Sequence, residues 1–168
     1  RISQNILEHA VFYIVPNMNP DGSIRGNHRT NTNGFNLNRQ WQSPCKIGCP
    51  EVFYVKEKMQ QTGIDLLLDI HGDEEIPYNF IMPAKGGEHL AQAAKQFKQD
   101  FMDETNEFQI DVDYNSYHEN KSCCGKSCGK QGMASQNVTN TFDCLAMVLE
   151  MPFKDNNNQP NMRTGWSA

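Results

Sequence analysis

The chain has 168 residues, enough for one domain with a core of ordinary size, and a formal net charge of −5. That acidic balance gives no general attraction to polyanions, so nucleic acid is not an expected partner. No apolar run approaches the ~20 residues that span a bilayer, and no signal-peptide pattern opens the chain, so no membrane partner is expected.

Arg1-Ile2-Ser3 lacks an initiator Met, and the chain is expected to be a piece of something longer. Ala10 to Val15 is an apolar run with the pattern of a buried strand. Pro16 to Ser43 follows as one long loop, too rich in Gly and Asn for helix or strand, with Arg29, Asn38 and Arg39 in it. A strand that delivers a guanidinium-lined loop suits the capture of a carboxylate, which Arg grips in bidentate fashion. The same residues, taken alone, also describe a hydrogen-bonded surface turn.

Glu51 to Gln61 reads as a helix, with Pro50 ahead of its first turn and Val52, Val55 and Met59 on one face. Thr62-Gly63 ends it, and Ile64 to Ile70 has the near-continuous apolar character of a central parallel strand. Tyr78 to Met82 has the composition of a further short strand. Glu88 to about Glu104 is the longest helical pattern, with Leu90, Ala94, Phe97 and Phe101 as its inner stripe. Tyr114 to Val138 shows no periodicity and reads as an extended loop. Cys144 to Leu149 is the last strand, and Asp155 to Asn161 a polar, poorly ordered tail. There is no internal repeat and no second domain, so the fold class is α/β, with a mixed, largely parallel sheet flanked by helices.

The six cysteines fit no single framework. Cys144 opens an apolar strand and reads as a buried small hydrophobe. Cys45, Cys49, Cys123, Cys124 and Cys128 lie in loops, where a structural zinc site, one or two disulfides and plain thiols all remain open. Asn120-Lys121-Ser122 and Asn137-Val138-Thr139 match the glycosylation pattern, which is too short to carry weight.

Chemistry concentrates at the predicted strand ends. Leu66-Leu67-Leu68-Asp69-Ile70-His71-Gly72-Asp73-Glu74 is an apolar strand ending in His and two carboxylates, and Leu145-Ala146-Met147-Val148-Leu149-Glu150 repeats the device with Glu. A neutral imidazole on a rigid strand end suits zinc; a histidine satisfied by neighbouring carboxylates is the plainer reading. A carboxylate closing an apolar strand is expensive unless it has a partner or a task. For Glu150 the partner alternative is Lys154 or an arginine.

Four motifs stand in order: Asn19-Pro20-Asp21-Gly22, Asn38-Arg39-Gln40-Trp41, Asp69-Ile70-His71-Gly72-Asp73-Glu74 and Leu149-Glu150-Met151-Pro152-Phe153. The set resembles the M14-type zinc metallocarboxypeptidases, above all their cytosolic branch, and the resemblance spans Val11 to Trp166. It implies that residues 1–168 are part of a single catalytic domain that hydrolyses the C-terminal residue of peptides or proteins by metal-activated water, in a cytoplasmic setting. It also implies roles. His71 is a ligand of one zinc ion, whose other ligands, from a His-x-x-Glu motif, are expected upstream of residue 1. Asn38 and Arg39 bind the terminal carboxylate, Arg29 stabilises the oxyanion, and Glu150 is the general base. His71-Gly72-Asp73-Glu74 itself spells His-x-x-Glu, but it follows the arginine loop, so Asp73 and Glu74 read as supporting or rim groups. For Arg39 the structural alternative is an ion pair with Asp69 or Asp73. One departure is plain: the family's substrate-capping tyrosine has no counterpart in Cys128-Gly129-Lys130-Gln131-Gly132, and Tyr117 is the nearest upstream candidate.

Two rival functions fit parts of the pattern. A zinc amidohydrolase of small N-acyl amino acids would use a similar clamp, although Leu149-Glu150-Met151-Pro152-Phe153 favours the peptidase. A metal-free carboxylate-binding module would keep the clamp and lack the His-x-x-Glu pair.

Overall fold

The computed structural model describes residues 2–118, 132–161 and 163. Helix α1 (Ile2–His9) is followed by α2 (Pro20–Arg25), a 3₁₀ turn (Leu37–Arg39) and α3 (Pro50–Thr62). Strands β1 (Leu66–Asp73) and β2 (Phe80–Pro83) come next, then α4 (Glu88–Glu104), α5 (Tyr114–His118), α6 (Ala134–Phe142) and β3 (Leu145–Pro152).

The sheet has the order β1-β3-β2, with β1 parallel and β2 antiparallel to β3, so it is mixed as expected. β3 lies at its centre and is buried along nearly its whole length. Side chains alternate across a strand, and here both faces are apolar. Met147 and Leu149 point to the face covered by α4, where they meet Ile81, Phe108, Phe97 and Phe101. Ala146 points to the opposite face, with Val138 of α6 and Leu67 of β1. Burial of each large core side chain contributes on the order of 2 kcal/mol relative to exposure. A third cluster joins Leu37 and Trp41 to Cys49, Val52 and Ala134, with Leu67 packed against it. The turn at residues 37–41 therefore lies on the α6 face of the sheet.

Several expectations hold closely. α3 starts with Pro50 at its first position and buries Val52, with Val55 and Met59 partly buried beside it. α4 has the expected limits and inner stripe. Cys144 is buried with a free thiol.

Others are corrected. Residues 10–15 form no strand; Val11 and Ile14 are each 79% exposed. An apolar run becomes a strand only when a neighbour takes its backbone hydrogen bonds, and no described segment does so here. Among the described strands β1 stands at the edge and β3 at the centre, and Ile70 is 58% exposed. The long loop contains α2 and the 3₁₀ turn. Asn19 caps α2 by accepting the Gly22 N–H at 3.1 Å, Pro20 opens it, and Gly26 closes it in the left-handed region at φ 72°. The expected loop at 114–138 contains α5 and the start of α6, while residues 119–131, with Cys123, Cys124, Cys128 and Asn120, lie outside the described residues. The tail is anchored: Asn156 is fully buried and its Nδ2 donates to the Glu107 carbonyl at 2.7 Å.

Candidate active site

The parallel register pairs His71 of β1 with Glu150 of β3, and Asp69 with Val148. Pleating puts Asp69, His71 and Asp73 on the same side as Glu150, the side that also carries the 37–41 turn. Two strand ends and one loop thus share a face.

His71 is held by Asp69, whose Oδ2 lies 3.0 Å from Nε2. That bond and the carboxylate's charge raise the imidazole pKa above its ordinary value, against burial and the nearby Arg29. With Nε2 carrying the proton toward Asp69, Nδ1 keeps its lone pair, and among the described residues it has no hydrogen-bond partner. The plainer reading of His71 is thus half realised: one carboxylate satisfies one nitrogen.

Glu150 is buried, at 7% exposure. Burial pushes its pKa up; His71 and the hydroxyl of Tyr114 oppose that rise, while Asp73 and Asp69 add to it. Among the described residues it forms no salt bridge, so neither Lys154 nor an arginine neutralises it. A carboxyl in such surroundings exchanges a proton near neutrality more readily than an exposed one.

Asp73 is more than a rim group. Its Oδ1 accepts the N–H groups of Glu75 at 2.8 Å and Ile76 at 2.5 Å, and its Oδ2 accepts the Tyr114 hydroxyl at 2.5 Å. The Tyr114 ring meets Phe80 edge-on at 5.0 Å, and burial, with the two carboxylates, holds its phenol far above its usual pKa. Tyr117 is the tyrosine the sequence offers in this region, whereas the structure brings Tyr114 to Asp73. Only the fold joins Tyr114 to Asp73. Gly72, between His71 and Asp73, lies under Phe153, whose ring a Cβ would strike.

Asn38 and Arg39 sit in the 3₁₀ turn. Asn38 Oδ1 accepts the Ala134 N–H at 3.0 Å, which ties the turn to α6 and leaves the side-chain amide N–H groups for another partner. Trp41 N–H donates to the Gly132 carbonyl at 3.1 Å, and a Cβ on Gly132 would come within 2.6 Å of the Arg39 carbonyl. Arg39 is exposed; its Nη1 donates to the Asn38 carbonyl at 2.8 Å, and among the described residues it has no ion pair. Asp69 is engaged by His71 and Asp73 by Tyr114, so the ion-pair alternative for Arg39 is not what the structure contains. Arg29 faces Glu74 at 3.7 Å, with both side chains about half exposed.

The zinc carboxypeptidase family model matches residues 1–162. The chain belongs to that family. An uncharacterized protein of Zymomonas mobilis is 35% identical over 166 residues, 99% of this chain and 43% of its own length. Human cytosolic carboxypeptidase 1 is 47% identical over 58 residues, 34% of this chain and 5% of its own. Among solved structures, a metallo-carboxypeptidase from Pseudomonas aeruginosa, in complex with (2-guanidinoethylmercapto)succinic acid, superposes with TM-score 0.87 at 41% identity, covering 98% of this chain and 43% of that one. One from Burkholderia cenocepacia gives TM-score 0.87 at 37% identity, covering 99% and 42%. This zinc carboxypeptidase chain therefore spans less than half the length of these relatives.

Its residues fit the family's metal in part. His71 offers one imidazole nitrogen, oriented by a carboxylate as zinc-binding histidines usually are. Among the described residues no three His, Cys, Asp or Glu side chains converge on one point, whereas a catalytic zinc site takes three protein ligands.

Proposed function

We propose that this chain is the part of a zinc-dependent carboxypeptidase domain, residues 1–168 all belonging to that one domain, that binds the free C-terminus of a peptide or protein and manages the proton in its hydrolysis. The observation that carries this reading is the register pair His71 and Glu150, a metal-type imidazole beside an unneutralised buried carboxyl. His71 holds one position on the zinc, and the other ligands come from outside the described residues. When bound, zinc supplies Lewis acidity toward water and the scissile carbonyl.

The chain's own residues do the rest. Arg39 and the Asn38 amide grip the terminal carboxylate, which fixes the distance from chain end to scissile bond. Glu150 takes a proton from the attacking water and returns it to the departing amine, a task its raised pKa suits. Arg29 stabilises the charge that develops on the carbonyl oxygen, turning from Glu74 to do so. Asp69 keeps His71 in one orientation. The family's cytosolic members support a cytoplasmic setting and peptide or protein substrates.

The test uses the full-length protein loaded with zinc. Mass spectrometry should show the last residue released from free-acid peptides and none from C-terminally amidated ones. Hydrolysis confined to small N-acyl amino acids would make it an amidohydrolase. Binding of free-acid peptides with no hydrolysis would make it a carboxylate-binding module.

A further inference from the structure

Cys45 and Cys49 lie outside the candidate site, yet their sulfurs share one turn. The Cys49 N–H donates to the Cys45 carbonyl at 2.8 Å, which closes an i to i+4 turn. Such a turn brings its end Cα atoms to roughly 6 Å, inside the span a disulfide bridges. The Cys49 side chain folds back over its partner: the Cys45 N–H points at Cys49 Sγ at 3.0 Å, and that thiol donates to the Cys45 carbonyl at 3.2 Å. Cys45 Sγ in turn accepts the Gly48 N–H at 3.3 Å. Cys45 is exposed and Cys49 is fully buried. An accessible sulfur with a backbone donor, next to a sheltered one, is the arrangement of an attacking and a resolving thiol. The hydrogen bonds from Gly48 and Ile47 also lower the Cys45 pKa, while burial raises that of Cys49.

The turn is joined to the segment that carries the clamp. Asn31 Nδ2 donates to the Gly48 carbonyl at 2.8 Å, and Asn33 Nδ2 reaches the Ile47 and Gly48 carbonyls at 3.3 Å each. A Cβ on Gly48 would collide with Phe35. Cys49 itself packs in the cluster of Leu37 and Trp41, which flank Asn38 and Arg39.

We propose that Cys45 and Cys49 form a redox-active pair that closes into a disulfide on exposure to a hydroperoxide, and that closure shifts the turn carrying Asn38 and Arg39. The Cys45 thiolate attacks one oxygen of the peroxide; the O–O bond breaks, an S–OH bond forms, and hydroxide leaves and takes a proton. Cys49 Sγ then attacks Cys45 Sγ; the S–S bond forms, the S–OH bond breaks, and the departing hydroxide takes the Cys49 proton as water. Two thiols and one hydrogen peroxide give one disulfide and two waters. Closure removes the sulfur hydrogen bonds of the reduced turn and draws Cys49 away from Leu37 and Trp41. The effect on the clamp rests on the role proposed above for Arg39.

Trypsin cuts after Arg39, Lys46 and Lys56, so the two cysteines fall on separate peptides, residues 40–46 and 47–56. The full-length protein is treated with hydrogen peroxide at near-stoichiometric amounts, alkylated under denaturing conditions and mapped without reductant. The expected product is the two peptides joined and two hydrogens lighter than their sum, absent in Cys45→Ser. Recovery of Cys45 as sulfinic acid with Cys49 alkylated overturns the pair, as does Cys45 joined to Cys123, Cys124 or Cys128. If the free-acid peptidase activity exists, KM changes on the order of fivefold on oxidation, with kcat little altered and Cys45→Ser unresponsive. Complete disulfide with an unmoved KM overturns the link to the clamp. Because the peptide map needs no activity, it still decides the pair if the carboxypeptidase reading fails.

Discussion

Tyr114 donates its hydroxyl to Asp73 at 2.5 Å across 41 residues of chain, and this bond connects the end of β1 to helix α5. It completes the bonding of a carboxylate that already accepts two backbone N–H groups in the turn after His71. Tyr114→Phe keeps the ring against Phe80 and removes only the hydroxyl. The expected loss is about 1–3 kcal/mol of stability, the usual cost of leaving a buried charged acceptor short of a partner. Urea denaturation of both proteins measures it, and a midpoint unchanged by the substitution would show the bond to be idle.

Glu150 and Glu74 allow a paired comparison. Glu150→Gln is expected to keep fold and metal and to lower turnover roughly 10²- to 10⁴-fold, the usual worth of a placed acid or base. Glu74 belongs to an exposed ion pair, which contributes little, so Glu74→Gln should change stability by less than about 1 kcal/mol and keep most of the activity. Turnover and bound zinc are measured for both. A dead Glu74 variant beside an active Glu150 variant would make His71 and Glu74 the metal pair.

Arg39→Ala should damage turnover of free-acid peptides and barely change any residual action on amidated ones. Among the described residues the guanidinium has no carboxylate to release, so the fold should be indifferent to its loss. Thermal unfolding checks the second point and paired substrate kinetics the first. Equal losses on both substrates would assign Arg39 to structure.

The hydrogen bond that His71 donates to Asp69 should be visible in metal affinity. Asp69→Asn in the full-length protein is expected to weaken zinc binding about 10- to 100-fold, the common effect of removing a carboxylate that orients a metal-binding histidine. His71→Ala should weaken it further. Titration against a competing chelator ranks the three proteins; an Asp69 variant equal to wild type would mean that His71 needs no orienting.

The described thiols should react in a fixed order. Backbone hydrogen bonds lower the pKa of exposed Cys45, while burial raises those of Cys49 and Cys144. Iodoacetamide under native conditions should therefore label Cys45 first and Cys144 only on unfolding. Because folding raises the Cys144 pKa, its contribution to stability is complete below the ordinary thiol value of 9.0 and is lost as pH climbs through the folded value. Cys144→Ala should flatten that alkaline decline, which denaturation across the alkaline range would show.

The readability of the sequence followed the strength of each local signal. α4 was legible because one apolar stripe runs its length, and α3 because proline and glycine mark its ends. His71 and Glu150 stood out because a polar group closing an apolar strand is costly without a purpose. The 10–15 run misled because its pattern is the same with or without a neighbouring strand. α6 was missed because Asn, Thr and Ser favour other conformations, so its helix depends on burying Ala134, Ser135, Val138 and Thr139. Asn156 and Tyr114 gave no signal, since their partners Glu107 and Asp73 lie far away in the chain.

The central place of β3 has a consequence for how the protein is made. Both β1 and β2 pair only with β3 among the described strands, and β3 is the last of the three to leave the ribosome. These three strands cannot pair with one another until about eighty residues beyond the start of β1 have been synthesised, so this part of the fold is dominated by contacts distant in sequence and should form slowly. Until then His71 and its neighbours sit on an unpaired apolar segment that a chaperone can hold. A message interrupted before residue 145 would yield the arginine loop and the segments of β1 and β2, yet not the β3 partner that joins them.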